Sequence, residues 1–340
     1  MSMRLFQIAM SGWLASALAT AARLDLAEHL AGEPMSAAEL AGVVGADSAA
    51  LDVLLHVLVE MDVFAQDESG RFTNSPLSEQ LRDGHPRSAR HFCLLAVGSY
   101  GAAWQHLDHT VRTGKPAFPH RFGLPLYEYL EQNPDEAAVF DRSMANLTGL
   151  AAPELVAAHD FSAARRVVDL GGGNGHLLAA VLRANPHLDG ICVDRAEVCA
   201  RAGARLTDAG MADLVGRLHF QPADLLASVP AGGDVYLLKN VLHDCRPDTI
   251  VRMLTVVRTA LVDTARAAAG SRPRLLIVEP LNGAAPNWVL MLTKMVMFEQ
   301  GAQLHTEAEM RALVAQAGLR VLSAQRLPSI HTVLECGLPD

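Results

Sequence analysis

The clearest local signal in this sequence is Val167-Val168-Asp169-Leu170-Gly171-Gly172-Gly173-Asn174-Gly175-His176, an apolar run that leads into a glycine-rich loop. A helical pattern from Leu177 to Ala184 follows directly, so the stretch predicts a strand, a tight loop and a helix. Glycine is needed where the backbone passes close to a ligand or adopts dihedral angles that other residues avoid. The dinucleotide-binding pattern G-x-G-x-x-G would require glycine at His176, so this loop differs from that motif.

Two acidic residues near the loop indicate the kind of ligand that it binds. Asp169 lies at the mouth of the loop, where a carboxylate repels a pyrophosphate and attracts an ammonium group. Asp194 ends the next apolar run, and an acid in that place can bind ribose hydroxyls. A ribose without a phosphate, together with an amine, describes S-adenosylmethionine better than NAD.

Short apolar runs alternate with helical patterns over the rest of the second half. The runs are Arg166 to Leu170, Gly190 to Asp194, Leu218 to Gln221, Asp234 to Leu238 and Arg274 to Val278. Further helical patterns cover Val198 to Ala209 and Thr249 to Val262. Two closing runs, Arg320 to Ala324 and His331 to Cys336, are close enough to pair as an antiparallel edge. This alternation predicts an α/β, doubly wound Rossmann-like domain with helices on both faces of a parallel sheet.

The first hundred residues have a mainly helical pattern. Ser36 and Glu39 form a capping box, Asp47 begins a second helix, and a short hairpin follows up to Thr73, which is the outline of a winged helix. The second helix carries no Arg or Lys between Asp52 and Gln66 and would offer nothing to a phosphate backbone. We therefore expect residues 1–100 to be a helical winged-helix scaffold. Residues 101–340 are expected to form the catalytic domain, with 101–160 as a helical linker and acceptor-site region.

Composition limits the class of protein. The chain has 340 residues, of which 50% are hydrophobic and 19% charged, enough to bury two cores. The net charge of −9 argues against a nucleic-acid partner. Five scattered cysteines contain no C-x-x-C pair, so neither a disulfide framework nor a zinc site is indicated, and a cytoplasmic location is expected.

The N-terminus carries an apolar segment that superficially resembles a secretion signal. No charge occurs from Leu5 to Ala22, but polar residues and glycine interrupt the run, and the helical pattern continues to Leu30. We expect a helix that is buried or faces a partner, in a homodimer, and no membrane span.

A second polar cluster, Lys239-Asn240 with His243-Asp244, comes just beyond a strand that would neighbour the strand of the glycine loop. Ligands of doubly wound sheets lie at the carboxyl ends of such strands. A histidine that caps the following helix is the plainer alternative. A metal site at His243 and Asp244 lacks further ligands at a suitable spacing, so no metal is expected.

These motifs, together with Ile277-Val278-Glu279, resemble the plant-caffeate-type and bacterial antibiotic O-methyltransferases of secondary metabolism over nearly the whole chain. The resemblance implies S-adenosylmethionine as cofactor and an N-terminal dimerisation domain. It implies a catalytic base at His243 and an orienting carboxylate at Glu279. Its cofactor-binding residues are Asp169, Gly171, Gly173, Asp194, Asp224, Leu225 and Lys239, with Asp224 and Leu225 flanking the adenine. Its acceptor-binding residues are Met144, Asp244, Met295 and Glu299, although the methionines by spacing alone could equally be core residues.

The sequence departs from this family pattern in the segment before Thr306. Leu304 stands where the family has a second orienting carboxylate. Elsewhere in the chain, Cys245 follows His243-Asp244, where the family usually has a tryptophan. The support of His243 is therefore expected to come mainly from Glu279. A relative that methylates carbon or nitrogen, or no longer transfers a methyl group, is an alternative, and a ligand-sensing winged-helix regulator is the alternative from another class.

The expected base indicates the kind of hydroxyl that is methylated. An ordinary imidazole, with a pKa of about 6.5, lies roughly 3.5 units below a phenol, a gap that is tolerable when the proton leaves as the methyl group arrives. An aliphatic alcohol near ~16 would leave roughly 9 units. We therefore expect a small aromatic acceptor.

Overall fold

A computed structural model describes residues 3–204, 206, 210–268, 270–283 and 286–339, except for the side chain of residue 150. The chain forms two compact units. The first comprises the residues up to Ala102 together with Asn133–Leu147, and the second comprises Ala103–Gln132 and the chain from Thr148 onwards.

Helices dominate the first 160 residues. The helices are α1 (Met3–Arg23), α2 (Leu26–His29), α3 (Ala37–Val44), α4 (Ser48–Glu60), α5 (Arg90–Val97), α6 (Ser99–Trp104), α7 (Leu107–Thr113), α8 (Ala117–Phe122), α9 (Leu126–Gln132) and α10 (Pro134–Ala158). Two short strands, β1 (Phe64–Gln66) and β2 (Phe72–Asn74), pair antiparallel after α4.

The rest of the chain alternates between strands and helices. The strands are β3 (Arg166–Leu170), β4 (Asp189–Asp194), β5 (Leu218–Pro222), β6 (Val235–Lys239), β7 (Arg274–Glu279), β8 (Arg320–Arg326) and β9 (Thr332–Gly337). The helices are α11 (His176–Ala184), α12 (Ala196–Ala204), α13 (Pro247–Ala267), α14 (Trp288–Met297) and α15 (Glu307–Gln316).

The first unit has the predicted order of helix, helix and hairpin. Ser36 and Glu39 form the predicted capping box at the start of α3, and Gly45 ends that helix with a φ of 67°. The side chain of Asp47 accepts the N–H of Ala50 and caps α4. Residues of α2, α3, α4 and the hairpin, with Phe64 and Phe72 among them, share one buried core.

The sheet of the second unit has the strand order β5-β4-β3-β6-β7-β9-β8. Strands β3 to β7 pair parallel with their neighbours, and β9 pairs antiparallel with both β7 and β8. The chain crosses from the β4 side of β3 to the β6 side, so a crevice forms beyond the carboxyl ends of β3 and β6. One core lies between the sheet and α10 and α11, and the other between the sheet and α13 and α15.

The doubly wound α/β fold with an antiparallel edge is thereby confirmed. The helix predicted over Val198 to Ala209 runs from Ala196 to Ala204, and residues 205 and 207–209 lie outside the described part of the chain. The segment Asn133–Leu147, expected with the catalytic domain, clusters with the first unit because α10 contacts α5 and α6 there. The rings of Tyr100 and Phe140, 6.4 Å apart, are one of these contacts.

Helix α1 exposes an apolar surface. Its buried residues, Ala19, Ala21 and Ala22, lie near its C-terminal end, whereas Trp13 is 74% exposed. By length and composition alone, α1 meets the criteria for a membrane-spanning helix. A surface of this kind is costly to leave in water and indicates that something covers it.

Candidate active site

The glycine loop lets the backbone pass close to buried side chains at the end of β3. Gly171, Gly173 and Gly175 have φ values of 70°, 59° and 79°, which favour glycine. A Cβ atom on Gly172 would lie 2.6 Å from the Sγ of Cys192 and 2.7 Å from Oδ2 of Asp169. A side chain at Gly172 would therefore clash with Cys192 and Asp169 at the end of β3.

Asp169 points into a small cleft beyond this loop. Its carboxylate is buried, and its Oδ2 has no hydrogen-bond partner among the described residues. Burial raises the pKa of Asp169 to about 7, although the nearby Lys239 opposes the shift. The cleft is lined by Thr148, Asp169, Gly171, Gly172, Asn174, His176, Leu177 and Lys239. An unpartnered buried carboxylate at the wall of a cleft is suited to a cationic ligand.

Asp194 lies at the end of β4, beside the same loop. Its Oδ2 accepts the N–H of Gly173 at 2.9 Å, and its Oδ1 accepts the N–H of Arg195 at 2.8 Å. Burial raises the pKa of Asp194, and these two backbone donors act against that shift. The guanidinium of Arg195 forms an ion pair with Glu131 and lies 5.1 Å from the ring centroid of Tyr127.

Asp224 and Leu225 follow β5 at the same edge of the sheet. Oδ1 of Asp224 accepts the N–H of Leu226 at 2.9 Å, which fixes the turn after the strand. Leu225 packs on the core next to the loop, since a Cβ on Gly171 would lie 3.8 Å from its Cδ1. The predicted cofactor residues thus lie at the carboxyl ends of β3, β4 and β5, except for Lys239, which ends β6.

His243 and Glu279 form the polar centre of the neighbouring crevice. His243 lies in a 3-10 turn after β6, and Glu279 ends β7. Nδ1 of His243 is 2.6 Å from Oε2 of Glu279, and both side chains are buried. The other oxygen, Oε1, accepts the N–H groups of Val241 and Leu242 at 2.9 and 2.8 Å. Glu279 therefore holds both the imidazole ring and the turn that carries it.

The electrostatics of Glu279 favour its ionised form. Burial by itself raises the pKa of this carboxyl, but the facing His243 and the two backbone donors outweigh burial and hold it below its ordinary value. The carboxylate is 1% exposed, so water does not compete for its oxygens. It can orient the ring and stabilise a proton on it.

Asp244, next in the chain, is held by three side chains. Its Oδ1 lies 2.8 Å from Nζ of Lys294 and 3.2 Å from Nε2 of His243. Its Oδ2 accepts the hydroxyl of Tyr127 at 2.7 Å. The ammonium of Lys294 also lies 4.4 Å from the ring centroid of Phe298.

The turn after β6 is supported by His331, the residue before β9. Asn240 takes a φ of 56°, and its Oδ1 lies 3.0 Å from Nε2 of His331. Burial and the nearby Lys239 lower the pKa of His331 to about 4, so this ring is neutral at ordinary pH. Lys239 donates to Thr148 at 3.3 Å, and burial lowers its pKa to about 8.

The remaining predicted acceptor residues lie in different surroundings. Glu299 accepts from the N–H of Arg246 and the hydroxyl of Thr249, so its carboxylate caps the start of α13. Met295 lies on α14 with 44% of its surface exposed. Met144 is half-buried on the part of α10 that belongs to the first unit. Leu304 is buried, as its apolar side chain requires.

Lys294 and Tyr127 are site residues that the sequence analysis missed. Lys294 had one available signal, since it is a lone charge in the apolar run from Val289 to Met297. Tyr127 had none, because its partner lies 117 positions further along the chain. Within the described ranges, no group of three His, Cys, Asp or Glu residues is arranged to hold a metal ion.

The doubly wound sheet, with its glycine loop at the carboxyl end of β3, is the fold of a methyltransferase. Family models agree: an O-methyltransferase domain matches residues 104–320, and an O-methyltransferase dimerisation domain matches residues 6–82. The chain belongs to the O-methyltransferase family, whose members depend on S-adenosylmethionine. It is an S-adenosylmethionine-dependent methyltransferase with an N-terminal helical dimerisation domain.

Individual relatives support the same assignment. O-methyltransferase SfmM3 of Streptomyces lavendulae is 36% identical over 327 residues, which cover 94% of this chain and 95% of the relative. The crystal structure of LaPhzM matches with a TM-score of 0.89 at 33% identity, over 98% of both chains. NcsB1 from neocarzinostatin biosynthesis, solved with S-adenosylmethionine and 2-hydroxy-5-methyl naphthoic acid, matches with a TM-score of 0.77 at 32% identity over 96% of both chains.

The residues of the loop fit this cofactor. The unpartnered Oδ2 of Asp169 suits a cationic amine, and the absence of a side chain at Gly172 leaves the backbone open to a ligand.

Proposed function

We propose that this enzyme methylates an aromatic hydroxyl of a small secondary metabolite, with His243 as the general base. The observation that carries the proposal is the buried pair of His243 and Glu279, with 2.6 Å between Nδ1 and Oε2. With its proton on Nδ1, facing Glu279, the ring keeps Nε2 as the nitrogen that can accept the hydroxyl proton. The acceptor oxygen would then gain the methyl group as its proton moves to Nε2.

The cofactor residues have separate roles in this proposal. Asp169 would bind the amino group, Asp194 the ribose hydroxyls, and Asp224 with Leu225 would flank the adenine. Gly171 and Gly173 would let the backbone approach, and Lys239 would lie beside the cofactor at the end of β6. When bound, S-adenosylmethionine supplies an activated methyl group on a sulfonium centre.

The acceptor is proposed to be aromatic because of the base and its surroundings. A buried imidazole beside one oriented carboxylate is matched to a phenol rather than to an aliphatic alcohol. Met144 and Met295 would contact the acceptor ring through their polarisable sulfur atoms. Asp244 and Glu299 remain proposed acceptor contacts, although their carboxylates are already engaged within the protein.

A panel of acceptors tests the proposed reaction. Purified enzyme with S-adenosylmethionine is incubated with phenols, with anilines of the same ring systems and with the corresponding benzyl alcohols, and products are identified by mass spectrometry. Methyl transfer to phenolic oxygen is the expected result. Transfer to the anilines alone would replace the proposal with N-methylation.

The enzyme is further proposed to be a cytoplasmic homodimer. A second copy would cover the exposed apolar surface of α1, which lies in the part of the chain that the dimerisation model matches. The net charge of −9 is unfavourable for binding to nucleic acid or to an anionic membrane surface, so neither is proposed as a partner. Light scattering that found a monomer in solution would contradict the dimer.

Cofactor affinity is expected to rise with pH over the range from about 5.5 to 7.5. In the free protein the pKa of Asp169 is about 7, so below that pH its carboxyl is mostly protonated and neutral. Only the ionised form attracts an ammonium group, so affinity should fall by up to about tenfold per pH unit below 7. Binding near pH 7 should therefore release a fraction of a proton.

Calorimetry with S-adenosylhomocysteine, in buffers of different ionisation enthalpy, measures both quantities. The Asp169→Asn variant is the control, since it should bind more weakly and without dependence on pH in this range. A wild-type affinity that is flat with pH and accompanied by no proton release would show that Asp169 does not face the ligand.

A further inference from the structure

Lys294 is a buried cation to which the proposed mechanism gives no role. It lies on α14, and 6% of its surface is exposed. Its Nζ is 2.8 Å from Oδ1 of Asp244 and 4.4 Å from the ring centroid of Phe298. Burying an ammonium group is costly unless a carboxylate pairs with it, so the pair with Asp244 is what makes this position tolerable.

The choice of lysine at this place is unusual for the chain. Its 28 basic residues include three lysines, at positions 115, 239 and 294, and the rest are arginines. Lys115 is exposed, whereas two lysines are buried within the second unit, Lys239 at the end of β6 and Lys294 on α14. Lysine offers a compact point charge, whereas arginine offers a planar fork of donors. Lys294 therefore presents a compact charge to Asp244.

The position of that charge matters because His243 lies between two carboxylates. Nδ1 faces Glu279 at 2.6 Å, and Nε2 faces Oδ1 of Asp244 at 3.2 Å. Two facing carboxylates favour a ring that carries protons on both nitrogens. Such an imidazolium has no lone pair left to accept the proton of a hydroxyl group. Without compensation, Asp244 would therefore work against the base.

Lys294 and Tyr127 supply that compensation. The ammonium of Lys294 contacts the same oxygen, Oδ1, that faces His243, and the hydroxyl of Tyr127 binds the other oxygen. An opposite charge on Oδ1 weakens its attraction for a proton on Nε2.

We propose that Lys294 is a positioning residue that neutralises Asp244 and thereby keeps Nε2 of His243 unprotonated and available to the acceptor. The inference rests on the proposed role of His243 as the base. It adds a determinant of the pH range in which that base works.

The other charged and titratable groups near His243 do not replace this pair. Glu279, on β7, faces Nδ1 and not Nε2. His331, just before β9, is held neutral, because burial and then Lys239 lower its pKa to about 4. Burial also lowers the pKa of His305, in the loop before α15, so this ring adds no charge at neutral pH. Lys239, at the end of β6, hydrogen-bonds to Thr148 instead of to Asp244. Lys294 is thus the cation that touches the carboxylate on the Nε2 side.

A charge-pair cycle tests the inference. The variants are Lys294→Met, Asp244→Asn and the double variant, and exposed Lys115→Met is the control. For each variant, kcat is measured across pH with a phenolic acceptor at saturating cofactor. In Lys294→Met the acidic limb of the profile should move to higher pH by about one unit or more, with kcat at high pH within a few-fold of wild type.

The two partners should act in opposite directions. Asp244→Asn should move the protonation of His243 to lower pH, and the double variant should return it close to wild type, because both charges have then gone. Lys115→Met should leave the profile unchanged. If Lys294→Met lowered kcat equally at every pH, or the double variant showed no recovery, Lys294 would have only a packing role and the inference would be overturned.

An NMR titration of the histidine ring carbons separates this inference from the proposed function. The His243 signal is assigned by its loss in His243→Gln and is followed across pH in the wild type and the three variants, without turnover. Unfolding midpoints and affinity for S-adenosylhomocysteine verify that each variant folds, and Asp244→Asn still provides a test if Lys294→Met does not. An unmoved His243 titration overturns the inference even if His243 is the base. A moved titration together with an active His243→Ala variant supports the charge coupling and contradicts only the role of the base.

Discussion

Replacing His243 by alanine is expected to lower turnover by about 10²–10⁴-fold, the usual contribution of a positioned general base. Nδ1 of the buried imidazole faces Glu279 at 2.6 Å, and Glu279 also accepts two backbone N–H groups of the turn, so the alanine variant removes a positioned base. The loss should appear in kcat, measured with the true acceptor at saturating S-adenosylmethionine.

Cofactor affinity should change by no more than a few-fold in the same variant. His243 lies after β6, whereas the glycine loop and Asp194 lie at the ends of β3 and β4, so binding of the nucleoside does not depend on the imidazole. His219→Ala, on the exposed surface of β5, is the matched control and should behave as wild type. Near-normal turnover of His243→Ala would show that proximity alone drives the reaction, or that the reaction is not O-methylation.

Changing Glu279 to glutamine is expected to reproduce a large part of the His243 defect. The amide oxygen can still accept the N–H groups of Val241 and Leu242, but its NH₂ group then faces Nδ1. The ring would respond by carrying its proton on Nε2, which is the wrong nitrogen for a base. In the serine-protease triad, the same change at the orienting carboxylate lowers kcat by about 10⁴-fold.

The measurement is again kcat at saturating cofactor, together with the dissociation constant of S-adenosylhomocysteine. Glu307→Gln, at the exposed start of α15, is the matched control. Leu304 offers no second carboxylate to Nδ1. The loss of turnover in Glu279→Gln should therefore not be compensated by another residue at that position. Glu279→Gln with full turnover would remove the tautomer argument and leave His243 without a demonstrated orienting group.

Much of the architecture could be predicted from local pattern. The apolar runs at β3, β4, β6 and β7 agree with the structure to within one residue at each end, because each is a short run inside a parallel sheet that is buried on both faces. The antiparallel edge formed by β8 and β9 also followed from two closely spaced runs. The capping box at Ser36 fixed the start of α3.

Part of the candidate site could also be predicted from the sequence. Asp169, Asp194 and His243 lie at or just after the ends of predicted strands. Because these strands are parallel neighbours in the sheet, their carboxyl ends bring the three residues to the same side of it. The contact between His243 and Glu279 follows from the pairing of β6 with β7, since each residue lies at or just after the end of its strand. The catalytic roles of these residues remain predictions.

What local pattern specified is therefore the sheet, the glycine loop and the identity of the principal polar residues, because each of these is written within a few consecutive positions. Only the tertiary structure decided which charged and polar side chains contact each other. Lys294 reaches Asp244 across 50 positions, and Tyr127 reaches it across 117, so no periodicity or motif reports either contact. Both contacts are made by the carboxylate whose Oδ1 lies 3.2 Å from Nε2 of His243, and a charge acts over such a distance in a low-dielectric interior. The candidate base could be named from the sequence, but the groups that surround Asp244 come together only in the folded enzyme.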